Sequence, residues 1–265
     1  MFTHSKWRFI DSGIGTAEWN MAVDEALLNG CTRDTLPTLR LYGWESALTL
    51  GRFSNFSKNL HPEKVEAEKI SCVRRISGGG ILVHGGDLSY SLIVSRDFVS
   101  ETGIKESYHY LCGFLIHLYE KLTLKAQYAR DVKGKEESRS DICLAGNEAY
   151  DLTINGQKMG GNAQHYTRLA LLQHGTIPMR IDVSQFSPLF RGDSGLVHAA
   201  TLENLGICVE YTQLSSLVQE AFSETFGVHL NADTLTQREK NQAQELLAEK
   251  YSQKRWNLHG QFVAS

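Results

Sequence analysis

A glycine-rich turn follows two arginines in the first third of the chain. Ser77, Gly78, Gly79 and Gly80 come directly after Arg74-Arg75 and an isoleucine, and they precede an apolar, strand-like run. Three glycines let the backbone approach a ligand closely, and successive N–H groups can converge on a carbonyl, carboxylate or phosphate. The spacing matches neither the Walker pattern nor a dinucleotide fingerprint. An ordinary turn explains the glycines about equally well.

A second glycine-containing segment begins with a lysine. Lys158 is followed by Met159, and then by Gly160, Gly161, Asn162 and Ala163. A lysine at the end of a strand, surrounded by small residues, can direct its positive charge at an acyl carbonyl or a phosphate. The alternative is a solvated lysine beside a glycine bend.

One cysteine and two histidines have side chains suited to covalent or acid–base chemistry. Cys143 lies fifteen residues before Lys158 and close to Arg139, and cations near a thiol favour the nucleophilic thiolate. A buried, space-filling cysteine is the alternative. His84 and His174 each precede a glycine at the end of a predicted strand, where they could serve in acid–base or orienting roles or be buried, hydrogen-bonded histidines.

The composition limits the class of protein to which this chain can belong. The chain has 265 residues, 42% hydrophobic and 22% charged, with four prolines, which predicts one domain over residues 1–265. Five scattered cysteines without a C-x-x-C motif argue against disulfides and a zinc site, so no metal is expected. A net charge of −3 disfavours nucleic acid as a partner, and the absence of a signal peptide or long apolar run indicates a cytoplasmic protein without a membrane partner.

Hydrophobic periodicity predicts helices and strands that would position these residues. A helix is expected after Thr16, with apolar residues on one face and Asp24 and Glu25 on the other. Strands are expected at 39–42, 47–50, 81–84, 88–94 and 168–174, the third and fourth of them joined as a hairpin at Gly85-Gly86.

The remaining pattern predicts two further helical regions, a lid and a second hairpin. A long amphipathic helix covers 108–122, and the polar segment 131–141 is typical of a mobile lid. Asn155-Gly156 predicts a tight turn between strands at 150–154 and 157–159. The portion 210–265 is expected to be helical, with a capping box formed by Thr236 and Glu239.

Several segments together resemble one known family. They are WRFIDSG at 7–13, AEWNMAVDEALL at 17–28, LRLYGW at 39–44, RRISGGGILVH at 74–84, NGQKMGGNAQ at 155–164, LLQHGTI at 171–177 and KYSQKRWN at 250–257. In this order they resemble the lipoate-protein ligase A and octanoyltransferase family over nearly the whole chain. The biotin-ligase variant is disfavoured because the chain has no G-R-G-R-x-G-R sequence.

The resemblance implies both a fold and an activity. The fold class would be α/β (α+β), with a mixed, largely antiparallel sheet flanked by helices, a biotin-ligase-like catalytic core and no extra C-terminal ligase domain. The activity would attach an octanoyl or lipoyl chain to one lysine of a lipoyl carrier domain, in the glycine-cleavage carrier protein or a dehydrogenase E2. Lys158 would face the reacting carbonyl, and an acyl-binding set would comprise Arg75, Ser77, Gly78, Gly79, Gly80, His84, Gly160, Gly161, Asn162, Ala163 and His174.

Two branches of the family use different chemistry. Ligases activate free lipoate with ATP and Mg²⁺, whereas one group of octanoyltransferases takes the chain from acyl carrier protein onto a cysteine and needs no cofactor. The WRFIDSG opening, the RSDIC segment ending at Cys143, its interval to Lys158 and the LLQHG segment resemble the cysteine branch. The glycine at the third position of the triple glycine, Gly80, is instead typical of the ligases. The Gly85-Gly86-Asp87 sequence departs from the pattern of both branches.

The expectation is therefore an acyltransferase that works through a Cys143 thioester. For the final transfer, Lys158 as a nearby cation or His84 as a base could help the incoming lysine to lose its proton. Two alternatives stay open: an ATP-dependent ligase, which some family members complete with an accessory subunit, and a non-catalytic relative that binds acyl chains or carrier domains. Docking of acidic carriers would need a basic patch, expected at Arg74, Arg75, Lys133, Lys135 and Arg139.

Overall fold

A computed structural model describes residues 5–99, 103–132 and 151–261. Its largest sheet has the strand order β10-β11-β6-β2-β1-β12; β1, β2 and β12 run parallel, and the other neighbours are antiparallel. Two three-stranded sheets, β4-β3-β5 and β7-β8-β9, accompany it. The strands are β1 Lys6–Gly15, β2 Thr38–Trp44, β3 Ala47–Leu50, β4 Ser71–Arg74, β5 Leu82–His84, β6 Asp87–Ser95, β7 Ala126–Tyr128, β8 Leu152–Ile154, β9 Gln157–Lys158, β10 Asn162–Tyr166, β11 Ala170–Pro178 and β12 His229–Ala232.

Helices cover both faces of the six-stranded sheet. They are α1 Ala17–Gly30, α2 Phe56–Asn59, α3 Pro62–Ala67, α4 Ile104–Leu111, α5 Gly113–Lys121, α6 Val183–Phe186, α7 Tyr211–Phe226, α8 Gln237–Leu246 and α9 Lys254–Asn257. Short 3₁₀ turns lie at Arg96–Val99, Ala129–Asp131, Ser187–Leu189 and Leu196–His198, and a π-helical turn at Leu247–Tyr251. Among the residues described, no helix is both long and apolar enough to span a membrane.

The six-stranded sheet separates two apolar clusters. Alternation along β6 sends Tyr90 and Leu92 to one face, where they pack with residues of α5 and α7 such as Phe114 and Phe222. Ile93 points to the opposite face and packs in the cluster that contains the buried residues of α1. The sheet β4-β3-β5 has a third cluster of its own. The mixed sheet flanked by helices is thus confirmed.

The predicted hairpin at Gly85-Gly86 is wrong. β5 pairs with β3, whereas β6 pairs with β2 and β11, so the chain leaves one sheet and enters another at these glycines. Gly85 has a φ of +122°, and the Gly86 carbonyl accepts the N–H groups of Met179 and Arg180. The alternation of each segment specifies a strand, but it does not specify the partner of that strand.

The second predicted hairpin forms as expected. β8 and β9 pair antiparallel through Asn155 and Gly156, whose φ values of +51° and +78° are those that a two-residue turn requires. The expected long helix is interrupted instead, since α4 ends at Leu111 and α5 begins at Gly113.

The C-terminal portion is not helical throughout. The capping box at Thr236 and Glu239 forms as expected at the start of α8. β12, however, pairs parallel with β1 and becomes an edge strand of the six-stranded sheet. The predicted lid at 131–141 lies outside the described residues, except for Asp131 and Val132.

Candidate functional site

A partly open cavity lies between the six-stranded sheet, the β4-β3-β5 sheet and α1. Met21, Tyr42, Trp44 and Leu82 give it an apolar and aromatic lining. Seven residues expected in the acyl-binding set also line it: Arg75, Gly79, His84, Gly161, Asn162, Ala163 and His174. Such a lining with a few polar groups suits a ligand that has an aliphatic chain and a polar head.

The glycine turn packs against a neighbouring glycine backbone. The N–H of Gly51 donates to the Gly80 carbonyl at 3.2 Å, and the N–H of Arg52 donates to the Ser77 carbonyl at 2.8 Å. A Cβ built on Gly51 would stand 1.8 Å from the Gly79 oxygen, and Gly79 itself has a φ of +93°. Glycine is therefore required on both sides of this contact.

Arg75 holds the glycine turn from the cavity side. Its guanidinium donates to the carbonyls of Gly78 at 3.0 Å and Gly80 at 2.8 Å, and to the carbonyl of Thr49 at 3.1 Å. These bonds fix the path of the backbone beside the cavity. Arg75 lines the cavity as expected, but much of its hydrogen-bonding capacity serves the turn.

The expected basic patch is wrong for Arg74 and Arg75. Both arginines are buried, and Arg74 donates to backbone carbonyls of Gly51, Ser54 and the C-terminal segment. Burial lowers the pKa of Arg74, and the neighbouring Arg52 lowers it further. Neither arginine can present its charge to a partner. Lys133, Lys135 and Arg139 lie outside the described residues.

Both ring nitrogens of His84 are engaged in hydrogen bonds. Nδ1 is 2.9 Å from Asp87 Oδ2, Nε2 is 2.9 Å from Thr49 Oγ1, and the ring stacks on Trp44 at 4.0 Å. This arrangement makes His84 a rigid part of the cavity wall. A role as base would require it to exchange one of these partners.

His174 lies between a serine and an aspartate. Its Nε2 is 2.5 Å from Ser77 Oγ, and its Nδ1 is 3.3 Å from Asp24 Oδ2. Asp24 also accepts from Arg40 Nη1 at 2.7 Å and from the Tyr42 hydroxyl at 3.0 Å. Burial raises the pKa of Asp24, but the hydrogen bond from His174 and the charge of Arg40 outweigh it, so the pKa lies below its usual range.

The sequence pattern predicts Asp24 on the polar face of α1, opposite the apolar residues, and this prediction is wrong. The carboxylate is only 1% exposed because Arg40, on β2, projects from the sheet face against which α1 packs. A charged residue at an apolar position of a helix is the signal that could have identified it, since a buried carboxylate requires a buried partner.

Lys158 forms a buried ion pair. Its Nζ is 2.6 Å from Asp151 Oδ2, and both side chains are less than a tenth exposed. Lys158 belongs to β9, whose neighbour β8 begins one residue after Asp151. Lys158 is not among the residues that line the cavity, and no sequence motif marks its partner Asp151.

The Gly160–Ala163 segment brings β10 against β11 at the cavity. A Cβ on Gly160 would be 2.1 Å from the Thr176 carbonyl oxygen, and Gly160 has a φ of +73°. Asn162 Oδ1 accepts from the Tyr90 hydroxyl at 2.8 Å and occupies the space beside Gly175. The small residues thus permit close packing of the two strands.

Cys143, the expected nucleophile, lies outside the described residues. Three of the described cysteines have properties that disfavour a nucleophile. Burial raises the pKa of the Cys31 thiol to about 11 and those of Cys72 and Cys112 to about 12. Cys208 is exposed. Within the described ranges, no group of three His, Cys, Asp or Glu side chains could hold a metal ion.

Comparison with known proteins identifies the family. Residues 16–229 match the family model described as the lipoyl protein ligase A/B catalytic domain. The octanoyltransferase LipM of Kyrpidia tusciae is 33% identical over 95% of this chain and 98% of its own length. That of Bacillus subtilis is 32% identical over 95% of this chain and 97% of its own.

Solved structures share the fold. A lipoate-protein ligase A bound with ATP superposes with a TM-score of 0.83 at 22% identity, covering 97% of this chain and 100% of the ligase chain. A bipartite lipoate protein ligase from Thermoplasma acidophilum gives 0.81 at 22% identity, covering 98% and 99%. The family expected from the motifs is confirmed: the chain belongs to the lipoyl protein ligase A/B catalytic domain family.

Proposed function

We propose that the protein transfers an octanoyl chain from a carrier-bound thioester to a lysine of a lipoyl domain, through a thioester on Cys143. An acyltransferase of protein lipoylation is the activity expected from the sequence, and it agrees with the names of relatives that align over 95% of the chain. The apolar cavity beside the glycine turn is the observation that supports this proposal most directly.

The cavity suits a medium-length aliphatic chain. Transfer from water of the seven carbons beyond an octanoyl carbonyl contributes roughly 6 kcal/mol, at about 0.8 kcal/mol for each CH₂ group. Met21, Tyr42, Trp44 and Leu82 supply the apolar contacts. Gly79 of the glycine turn also lines the cavity, where a backbone N–H group could stabilise the oxyanion of a tetrahedral intermediate.

The covalent route divides the transfer into two balanced steps. The Cys143 thiolate attacks the carbonyl of the donor thioester, a new C–S bond forms, the donor C–S bond breaks, and the carrier leaves as its thiolate. The acceptor lysine nitrogen then attacks the enzyme thioester, the C–N bond forms, and the Cys143 thiolate is released with transfer of one proton. Thioester exchange is nearly isoenergetic and amide formation is downhill, so this route needs neither ATP nor Mg²⁺.

The proposed partners are acyl carrier protein as donor and a lipoyl domain as acceptor, in the glycine-cleavage carrier protein or a dehydrogenase E2. The ligase of T. acidophilum was solved in a study of the enzyme and its E2 lipoyl domain. With Arg74 and Arg75 buried, Lys133, Lys135 and Arg139 remain as the basic residues proposed for docking an acidic carrier.

Intact-mass spectrometry after mixing the protein with octanoyl-acyl carrier protein tests this proposal. We expect one octanoyl adduct that hydroxylamine removes and that the Cys143→Ala variant does not form. The exposed Cys208 offers the matched control, because the Cys208→Ala variant should still form the adduct.

Other outcomes would identify the competing functions. Lipoate attachment with ATP by the Cys143→Ala variant would overturn the thioester route in favour of a ligase. The absence of both an adduct and lipoate-dependent pyrophosphate exchange would point to a protein that only binds acyl chains or carrier domains.

A further inference from the structure

The cavity extends across four neighbouring strands of the six-stranded sheet. Its lining includes Ala163 from β10, Thr176 from β11, Ser89 from β6 and Trp44 from β2, and these strands are adjacent in that order. At a spacing of about 4.8 Å between strands, the backbones of the first and the last are roughly 14 Å apart. This span is long enough for an extended chain of eight carbons.

The two ends of this lining differ in their exposure. Ala163 is partly exposed, and Gly79 of the glycine turn is exposed. Ser89 and Trp44, in contrast, are only 1% and 5% exposed. Because the reacting carbonyl has to be reached by two carrier proteins in turn, it belongs at the open end beside Gly79. The methyl end of a bound chain is then directed towards Trp44.

Trp44 and His84 form the closed end of the cavity. Their rings stack with the centroids 4.0 Å apart and the planes inclined by 24°. His84 also lines a second cavity, whose lining includes the charged residues Arg180, Asp182 and Glu203. The Trp44–His84 stack, called the end wall below, thus lies between the apolar lining and a polar space. A chain that passed the end wall would gain little further apolar burial.

One carboxylate holds both rings of the end wall. Asp87 Oδ2 accepts the N–H of His84 Nδ1 at 2.9 Å and the Ser89 hydroxyl at 3.0 Å. The Ser89 oxygen accepts the indole N–H of Trp44 at 2.8 Å. Asp87 Oδ1 accepts the N–H of Gly85 at 3.2 Å, within the turn that joins the two segments. Neither ring can rotate away without leaving a buried polar group unpaired, which costs free energy.

We propose that the end wall limits the length of the acyl chain that the protein accepts, and that Asp87 is the positioning residue that keeps it closed. The inference rests on the proposed function and specifies its substrate class, which is unbranched chains of medium length. It gives the acidic residue of the Gly85-Gly86-Asp87 sequence a role. His84 acts through its shape, because both of its ring nitrogens are engaged in holding the wall.

Competition among acyl chains tests the inference. The protein is mixed with equal amounts of octanoyl-, decanoyl- and dodecanoyl-acyl carrier protein, and intact-mass spectrometry follows the initial formation of each enzyme adduct. A single methylene in an apolar pocket is worth about 10- to 200-fold in rate, so the wild type should prefer octanoyl to decanoyl by at least about tenfold. His84→Ala vacates the space of one ring, and we expect its decanoyl-to-octanoyl ratio to rise by at least about tenfold.

Further variants separate the end wall from a general effect on the fold. Asp87→Ala releases both rings and should raise the same ratio by about threefold or more, so it tests the wall even if His84→Ala does not fold. Asp87→Asn keeps one oxygen as acceptor for His84 and Ser89 and should stay near the wild-type ratio. His84→Phe keeps a ring against Trp44 and should retain the preference for octanoyl. His165→Ala, at a histidine of β10 that does not line the cavity, is the control and should leave the ratio unchanged.

Binding of free fatty acids gives a readout that does not depend on acyl transfer. In titration calorimetry, the affinity for decanoate relative to octanoate should be higher in His84→Ala than in the wild type. Wild-type ratios in the folded His84→Ala and Asp87→Ala variants, or an equal loss for all chain lengths, would overturn the inference and leave the thioester route intact. Failure of the wild type to form any acyl adduct would instead overturn the proposed function, and calorimetry would still show whether the rings limit the chain.

Discussion

Gly51 shows how the site depends on the absence of a side chain. It lies outside the SGGG motif, yet a Cβ at this position would be 1.8 Å from the Gly79 oxygen, which is backbone and has little room to move. The glycine turn thus requires a fourth glycine, contributed by the segment after β3.

The Gly51→Ala substitution should displace the glycine turn and reduce octanoyl transfer by at least about tenfold, because a shift of about 1 Å in a positioned group can cost 10²-fold in rate. Single-turnover kinetics would measure the loss. Gly30→Ala is the matched control, since a Cβ there would meet nothing within 4 Å and should leave the rate unchanged. Equal rates for both variants would contradict a tight contact at Gly51.

The buried thiols should resist alkylation in the native protein. Burial raises the pKa values of Cys31 and Cys112 to about 11 and about 12, so at pH 8 almost no thiolate is present and the thiols are shielded from reagent. Peptide mapping after iodoacetamide treatment should find both unmodified and the exposed Cys208 labelled. Rapid labelling of Cys112 without denaturant would contradict the packing around it.

Arg8 connects three elements that are distant in sequence. From β1, its guanidinium donates to Asp233 at 2.6 Å, just after β12, and to Glu239 on α8 at 2.5 and 2.8 Å. It also donates to the Thr234 carbonyl at 2.5 Å. The edge strand β12 pairs on one side only, so this cluster supplies much of its attachment to α8.

Arg8→Ala should therefore lower the free energy of unfolding by about 2 kcal/mol, because several charge-assisted hydrogen bonds are lost together. Urea denaturation measures this change. Arg33→Ala is the control: Arg33 pairs with Asp97 on the surface, with the arginine side chain 80% exposed, and its loss should change stability little. Similar losses from the two variants would argue against a special role for Arg8.

The contribution of Arg8 should depend on pH. Hydrogen bonds from the Thr234 amide and from Arg8 lower the pKa of Asp233. Burial alone would raise the pKa of Glu239, but the hydrogen bond and the charge of Arg8 outweigh burial and lower this pKa as well. Carboxyls with lowered pKa stabilise the fold above their unfolded-state pKa, and this stabilisation is lost as the pH falls below about 4. The stability difference between wild type and Arg8→Ala should thus be largest at neutral pH and shrink towards pH 3. A constant difference across urea titrations would contradict ionic pairing.

Individual helices and strands show how much of this fold the sequence specifies. Periodicity located α1, β8, β9 and α8 because those signals are local: a cap, a tight turn or an apolar face. It assigned the wrong partner to β5 and did not include β12, a largely exposed strand whose pairing with β1 is fixed by tertiary contacts. At the site, the glycine-rich segments were recognisable, whereas the burial of Arg74 and of Asp24 depends on segments distant in sequence.

At the scale of the whole molecule, the C-terminal segment supports the approach to the glycine turn. Trp256 Nε1 donates to the Arg74 carbonyl at 2.8 Å, and Arg74 donates back to the carbonyls of Trp256 and Leu258, each at 3.0 Å. Arg52 lies 4.7 Å from the Trp256 ring and donates to the Gly260 carbonyl at 2.9 Å. Trp256 does not line the cavity. Its contacts nevertheless hold Arg74, which precedes the glycine turn, and Arg52, which packs beside the turn.

This coupling predicts that a change at the C-terminal segment alters the site without touching it. Trp256→Phe keeps most of the buried ring but removes the hydrogen bond to Arg74, so we expect about 1–2 kcal/mol of lost stability and faster amide exchange in peptides covering 74–80. Trp19→Phe, a tryptophan-to-phenylalanine change on the half-buried surface of α1, is the control and should leave exchange in those peptides unchanged. The contrary result is that Trp256→Phe lowers global stability and leaves amide exchange in peptides 74–80 unchanged relative to the rest of the chain. That result would contradict a specific coupling between the C-terminal segment and the glycine turn. Faster exchange confined to 74–80 would show that the end of the chain sets the order of the glycine turn.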